Sequence, residues 1–420
     1  MQIAPHRHSA WHVLKPVCLI LCGAIVSAGA DAGDPRRPLT VSEPRTIASP
    51  AGAGSLEPSL ASLPDGRVVM SWLEPVGQTG MALRCATYDG RRWTAPSTIA
   101  AGDSFFVNWA DFPSIRPLGG KRLAAHWLWR SGADTYAYDV RISQSEDGGR
   151  TWSRPITPHR DGTATEHGFV SLVADGDAAL AVWLDGRKTA GHDEDAPGPM
   201  PDMTLRAAVV NAAGGLTDEA EIDGRVCDCC QTAAVATDRG LLVAYRDRSP
   251  DEVRDIYLSR FANGRWSKQH AVHADEWHIA GCPVNGPALD ARHSHVAIAW
   301  FTATADSPRV WAAFSSDCGD SFGPPARVDD GNPLGRVDLA LLSDRSAVVT
   351  WLEVQGSDAL LRARRIEPTG RVREAITVAR TSGARASGCP RVVRSGPLTL
   401  FAWTEASKPS QIRVALAMLP

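Results

Sequence analysis

The sequence predicts an all-β protein: a single seven-bladed β-propeller of four-stranded antiparallel blades, closed by its N-terminal strand, with six blades as the alternative count. Three observations carry this. A short apolar run ending in an aromatic recurs at Trp72, Trp127, Trp183, Tyr245, Trp300, Trp351 and Trp403, with successive spacings of 55, 56, 62, 55, 51 and 52 residues. A repeat of that length belongs to a propeller or a solenoid. Around each run, four strand-length segments alternate with turn residues and no helical periodicity intervenes. The chain of 420 residues, 44% hydrophobic and 22% charged, is long enough to form one large all-β domain.

Along the chain, the first thirty residues read as a secretory signal. Arg7 and Lys15 precede the apolar run "VCLILCGAIVSAGA" (17–30), and Ala28-Gly29-Ala30 fits a small-x-small cleavage site. A lipid anchor on Cys22 is disfavoured by the bulk of Leu21 before it. The domain proper is then 31–420, in the periplasm or outside the cell, and no later segment is apolar enough to span a bilayer. The segment "LTVSEPRTIAS" (39–49) resembles a fourth strand such as "TAPSTIAAG" (94–102), while the last repeat stops after its third strand, "QIRVALAML" (411–419). Pairing the two closes the ring and leaves no open sheet edge. The first full blade begins with "PSLASLPDGRVVMSW" (58–72), where Asp65-Gly66 signals a hairpin.

Two later turns carry a more specific mark. Ser145-Glu146-Asp147-Gly148-Gly149-Arg150-Thr151-Trp152 fits S-x-D-x-G-x-T-W, the Asp-box, and Ser315-Ser316-Asp317-Cys318-Gly319-Asp320-Ser321-Phe322 is a softened copy. Here the chain resembles the sialidase superfamily of Asp-box (BNR-repeat) propellers, over about 40–418. The motif is a structural turn, so the resemblance implies a fold and little chemistry. Active sialidases hold a carboxylate with three arginines, the first in an Arg-Ile-Pro motif, and attack with a late tyrosine activated by a glutamate. In this chain the matching place reads Leu56-Glu57-Pro58-Ser59-Leu60, and no tyrosine follows Tyr257. Tyr245 fills a slot that tryptophan fills in other blades, which points to packing. The resemblance is therefore to a member without sialidase chemistry.

Function is expected where the inner strands begin, at the mouth of the ring. That reading collects Trp109 and Asp111, Glu166 and His167, Cys227-Asp228-Cys229-Cys230, His278, Cys282 and Asn285, Arg336 and Asp338, and Cys389 and Arg391. Second-to-third strand loops add Asp185 and Arg187, with the acidic insertion His192-Asp193-Glu194-Asp195, and Arg246 and Asp247. Without the signal, seven cysteines are left (85, 227, 229, 230, 282, 318 and 389), an odd number in an oxidising compartment. Cys85 and Cys318 fall on outer strands or turns. The other five converge on the mouth.

For these five, three readings compete. Disulfide stapling is the structural one, with Cys230 to Cys282 on the neighbouring blade as the first choice. Thiolates with a histidine suit a soft metal, copper or zinc, with Cys227, Cys229, Cys230, His278, Cys282 and Cys389 as the candidate ligands. A reactive thiol activated by His278 or an arginine is the third. Two functions from other classes stay open. One is an exo-glycosidase, a sialidase-like hydrolase of glycans, using Asp111, Asp185, Asp247 or Asp338 with Arg187 and Arg246 as ligand contacts. The other is a non-catalytic protein-interaction propeller. Partners are then a metal ion, a small molecule or a glycan. A formal charge of −3 offers no basic excess for nucleic acid.

Overall fold

The computed structural model describes residues 43–192, 201–217 and 219–419. The signal segment, residues 39–42 of the expected closing strand, and Asp193, Glu194 and Asp195 of the acidic insertion lie outside them. Seven antiparallel sheets follow one another as blades. Each inner strand lies beside the next, and the seventh lies beside the first, which closes the ring. The inner strands are Leu56–Ser62, Ser114–Gly119, His167–Asp175, Ala233–Thr237, Ala288–Arg292, Pro333–Leu341 and Arg391–Ser395.

The recurring aromatic is the core of each blade. Trp72, Trp183, Trp300 and Trp351 are fully buried on second strands, each worth about 2–3 kcal/mol in transfer out of water. An indole N–H taken out of water needs an acceptor. Trp72 Nε1 donates to Glu74 Oε2 at 2.7 Å, Trp183 Nε1 to Asp185 Oδ2 at 2.8 Å and Trp300 Nε1 to Asp275 Oδ2 at 2.6 Å, while Trp351 uses Glu353. Tyr245 fills the slot in blade 4 and donates to Asp223 Oδ2 at 2.6 Å. Its packing role holds.

Closure is as expected. Arg45–Ile47 pairs antiparallel with the third strand of the last blade, with Arg45 opposite Leu416 and Ile47 opposite Val414. Both Asp-boxes are turns. Asp147 accepts from the backbone N–H groups of Arg150 and Thr151 at 2.9 Å each, and Asp317 does the same for Ser321 at 3.0 Å. Blade 2 departs from the four-strand expectation. Its sheet has three strands, and the fourth is reduced to one bridge between Ile142 and Ile156, because Pro155 and Pro158 flank Ile156 and donate nothing to a ladder.

Inner strands of adjacent blades share no ladder, so side chains tie them. Asp111 Oδ1 accepts Phe169 N–H at 2.7 Å, Asn285 Oδ1 accepts Arg336 N–H at 2.6 Å and Asp338 Oδ2 accepts Val392 N–H at 2.9 Å. Gln231 Oε1 takes Gly286 N–H at 3.0 Å, and Thr404 Oγ1 takes Glu57 N–H at 3.1 Å. These contacts satisfy amides that the blade geometry would otherwise leave unpaired in a dry place.

Candidate functional site: a cysteine cluster beside a plugged mouth

The axis of the ring is filled at the mouth by the blade-2 loop Trp109–Phe112. Gln231 Nε2 donates to Ala110 O at 2.7 Å, Arg336 lies 4.6 Å over the Trp109 ring and Arg391 lies 3.9 Å over the Phe112 ring. A cavity of about 460 Å³ runs along the channel, lined among others by Phe112, Arg116, Asp338, Cys389 and Arg391.

Several sequence candidates are spent on the fold. Asp111 and Asp338 are the interblade acceptors just described. Asp185 holds the Trp183 indole and Arg187 Nη2 at 2.7 Å, and Arg187 also meets Asp161 at 3.3 Å and Glu219 at 2.5 Å. Arg246 is buried beneath Trp277 and gives its donors to the backbone oxygens of Asn285, Arg254 and Phe301 at 2.9, 2.5 and 2.7 Å. Three of its five N–H groups are thereby committed to backbone oxygens, and the residue is 1% exposed. Asp247 is half-buried, and burial pushes its carboxyl up to about 6.

The cysteines divide. Cys227, Cys229 and Cys230 bring their sulfurs within 4.8 Å of one another. The loop that carries them is fixed by Val226 N–H on Met203 O and Cys227 N–H on Arg246 O, both at 3.0 Å. The disulfide is Cys227–Cys230, with a Cα–Cα distance of 5.8 Å, and Cys282 is free. The expected Cys230–Cys282 bond is thus corrected: a separation of three residues lets the turn bring Cys227 and Cys230 to a bridging distance. Cys282 instead interacts with Cys229 across the blade boundary, and the two thiols shift each other's titration in opposite directions.

Charge around the sulfurs is organised by Glu252. It grips Arg248 Nη2 at 2.7 Å and Arg254 Nη2 at 2.9 Å. This leaves Arg254 Nη1 donating to Cys227 Sγ at 3.5 Å and Arg248 Nη1 3.4 Å from Asp228. The Cys282 thiol is pulled down to about 7, first by its interaction with Cys229 and then by Arg254 and Arg248, whereas Cys229 is pushed up by the same pair interaction and by burial. Cys282 therefore carries the first thiolate of the pair.

Two other expected ligands stand apart. His278 is exposed, and its Nδ1 lies 3.1 Å from Asp251 O. Cys389 is buried among Arg336, Arg391 and Glu57, and burial raises its thiol. Cys85 and Cys318 are buried and free, away from the mouth.

Next to the cluster lies a group with no sequence signal. The Tyr138 hydroxyl is 3.0 Å from Asp111 Oδ2 and 2.7 Å from Glu166 Oε1. One hydroxyl proton cannot serve two ionised acceptors, so one carboxyl holds a proton. Burial supplies it by lifting Asp111 to about 8 and Glu166 to about 7, with Asp228 and Cys282 adding to the latter. Glu57, in the place of the family's first arginine, is buried, and neither of its carboxylate oxygens has a partner among the described residues. Burial raises its pKa well above the ordinary value.

A second titratable cluster joins Asp139, His159, Asp161 and His167, the histidine rings stacking in parallel at 3.7 Å. Stacked rings keep their in-plane lone pairs side by side, and Arg187 already supplies a cation to Asp161 and Asp185. The ligand atoms of Asp139, His159 and His167, and those of Asp161, His167 and Asp185, lie within 4.8 Å of one another, a spacing that could hold a metal ion.

No family model matches the chain, and no curated protein matches it in sequence. Similarity appears with solved structures. An ulvan lyase of a new polysaccharide lyase family, solved bound to -[GlcA(1-4)Rha3S]-, is 13% identical with a TM-score of 0.54, over 89% of this chain and 96% of that one. A protein of unknown function from Dyadobacter fermentans is 13% identical with a TM-score of 0.49, over 87% and 95%. A mutant NanB sialidase from Streptococcus pneumoniae is 11% identical with a TM-score of 0.45, over 92% and 71%. The chain therefore shares the fold of the ulvan lyase, and its seven successive sheets make it a seven-bladed propeller. Its mouth lacks a free arginine triad among the described residues.

Proposed function

We propose that this is an exported propeller that binds a soft metal ion, copper(I) ahead of zinc(II), at the blade 4–5 boundary. The observation that carries the reading is the convergence of three sulfurs, Cys227, Cys229 and Cys230, on one tight loop, with the Cys282 thiol of the next blade interacting with Cys229. Thiolates select soft ions, and copper(I) is satisfied by two or three of them. Cys229 and Cys282 offer two in the disulfide form, and reduction of Cys227–Cys230 adds two more. Arg254 and Arg248 offset the thiolate charge. His278 and Cys389 stand outside this ligand set. The test is elemental analysis and copper(I) titration of the mature chain alongside Cys229→Ser/Cys282→Ser. One equivalent retained by the parent and lost in the variant supports the reading; equal retention by both refutes it.

A glycan ligand is the second reading. It is favoured by Glu166, a half-buried carboxyl at the mouth that shares a proton with Asp111 and Tyr138, and by the ulvan lyase's own saccharide. Turnover of an acidic polysaccharide by metal-free protein, lost on Glu166→Gln, would establish it in place of the metal.

A further inference from the structure

We propose that the four clustered cysteines carry one disulfide that moves between Cys227–Cys230 and Cys229–Cys282, giving the protein a thiol–disulfide exchange activity toward dithiols.

The placement of the sulfurs motivates this. The bonded pair is buried, Cys227 at 0% and Cys230 at 2% exposure, so a thiol from outside cannot reach it. Cys282 is exposed and Cys229 is half-buried. The four sulfurs thus form a path from a dry disulfide to the surface. Cys229 Sγ lies 4.0 Å from Cys227 Sγ, a van der Waals approach from which a thiolate attacks a disulfide sulfur. The Cys229 and Cys282 thiols interact across the blade boundary, which makes the exposed Cys282 the next partner in the path.

The exchange balances without an outside oxidant. Cys282 takes the Cys229 proton as Cys229 Sγ attacks Cys227 Sγ; the 227–229 bond forms, the 227–230 bond breaks and the electron pair leaves on Cys230. The Cys282 thiolate then attacks Cys229 Sγ; the 229–282 bond forms, the 227–229 bond breaks and Cys227 leaves as a thiolate. The proton that Cys282 took from Cys229 passes to Cys230 through solvent at the rim, and the negative charge that began on Cys282 ends on Cys227. The second departure is assisted by the buried Arg254, whose Nη1 donates to Cys227 Sγ at 3.5 Å. Leaving-group stabilisation accelerates such a step. A dithiol outside then attacks the exposed Cys282 sulfur, closes to its own disulfide and leaves the protein with four thiols.

This uses the same sulfurs as the metal reading but does not depend on it, so the test is run in excess EDTA. The mature chain is equilibrated, acid-quenched, blocked with N-ethylmaleimide and mapped without reduction. A cross-link between the peptide carrying Cys227–Cys230 and the peptide carrying Cys282 is expected, and Cys229→Ser should remove it. Dithiothreitol should reduce the parent at least about tenfold faster than Cys282→Ser, whose disulfide can travel no further than the half-buried Cys229. Absence of the cross-link from the parent, its persistence in Cys229→Ser, or equal reduction rates would each overturn the proposal. The mapping of the unsubstituted chain decides the matter even if a variant folds poorly.

Discussion

Gly168 has no side chain because Asp111 occupies the space one would need: a Cβ there would lie 1.9 Å from Asp111 Oδ2 and 2.9 Å from Tyr138. Gly168→Ala is expected to push Asp111 off the Phe169 amide and to cost about 1–3 kcal/mol in urea unfolding. A variant as stable as the parent would show that Asp111 does not tie blades 2 and 3. Asp111 also sets a pH dependence. Its carboxyl sits at about 8 through burial, so the folded state takes up a proton that the unfolded chain has lost. That contribution is present below about pH 4 and is lost as pH rises through the folded value. Asp111→Asn removes the linkage, so its melting temperature relative to the parent's should climb between about pH 4 and 8; a constant difference would place the proton elsewhere. The sequence marks Asp111 and Asp338 as mouth residues. It cannot show that their oxygens are engaged by the next blade's amides, since those contacts exist only once the ring closes. Tyr138 is equally silent in sequence, being a long-range partner of two carboxyls.

At the level of strands, the aromatic repeat was legible because it records a local requirement. Trp72-Leu73-Glu74, Trp183-Leu184-Asp185 and Trp351-Leu352-Glu353 place a carboxylate two residues beyond the indole, on the same face of the strand. The same pattern explains Asp185, which reads as a candidate catalytic group until its indole partner is recognised. The thinned fourth strand of blade 2 was also present in sequence, in the prolines around Ile156. The plug was not, because Trp109–Phe112 reaches its partners in blades 4, 6 and 7 only in three dimensions. The closing strand has a direct consequence. Removing residues up to 49 strips Arg45–Ile47 from the last blade and exposes a ladder edge. The truncated chain should melt below the parent in one cooperative transition; an unchanged melting temperature would mean that the ring closes without this strand.

For the molecule as a whole, fold and function separate. A propeller that places Glu57 where an arginine would bind a carboxylate, and whose Arg246 and Arg336 are committed to backbone oxygens, should release no sialic acid from α-sialosides. Release above a background control would require a site other than this mouth. What the ring contributes instead is alignment: it sets a loop of blade 4 against a loop of blade 5, which brings Cys229 and Cys282 into interaction. These sulfurs are proposed to hold a soft metal. Copper K-edge X-ray absorption on the mature chain, loaded with one equivalent of copper(I) under reducing conditions, tests this most directly. A first shell of sulfur alone, lost in Cys229→Ser/Cys282→Ser, is the predicted result; a nitrogen or oxygen shell, or copper that washes away, would contradict it.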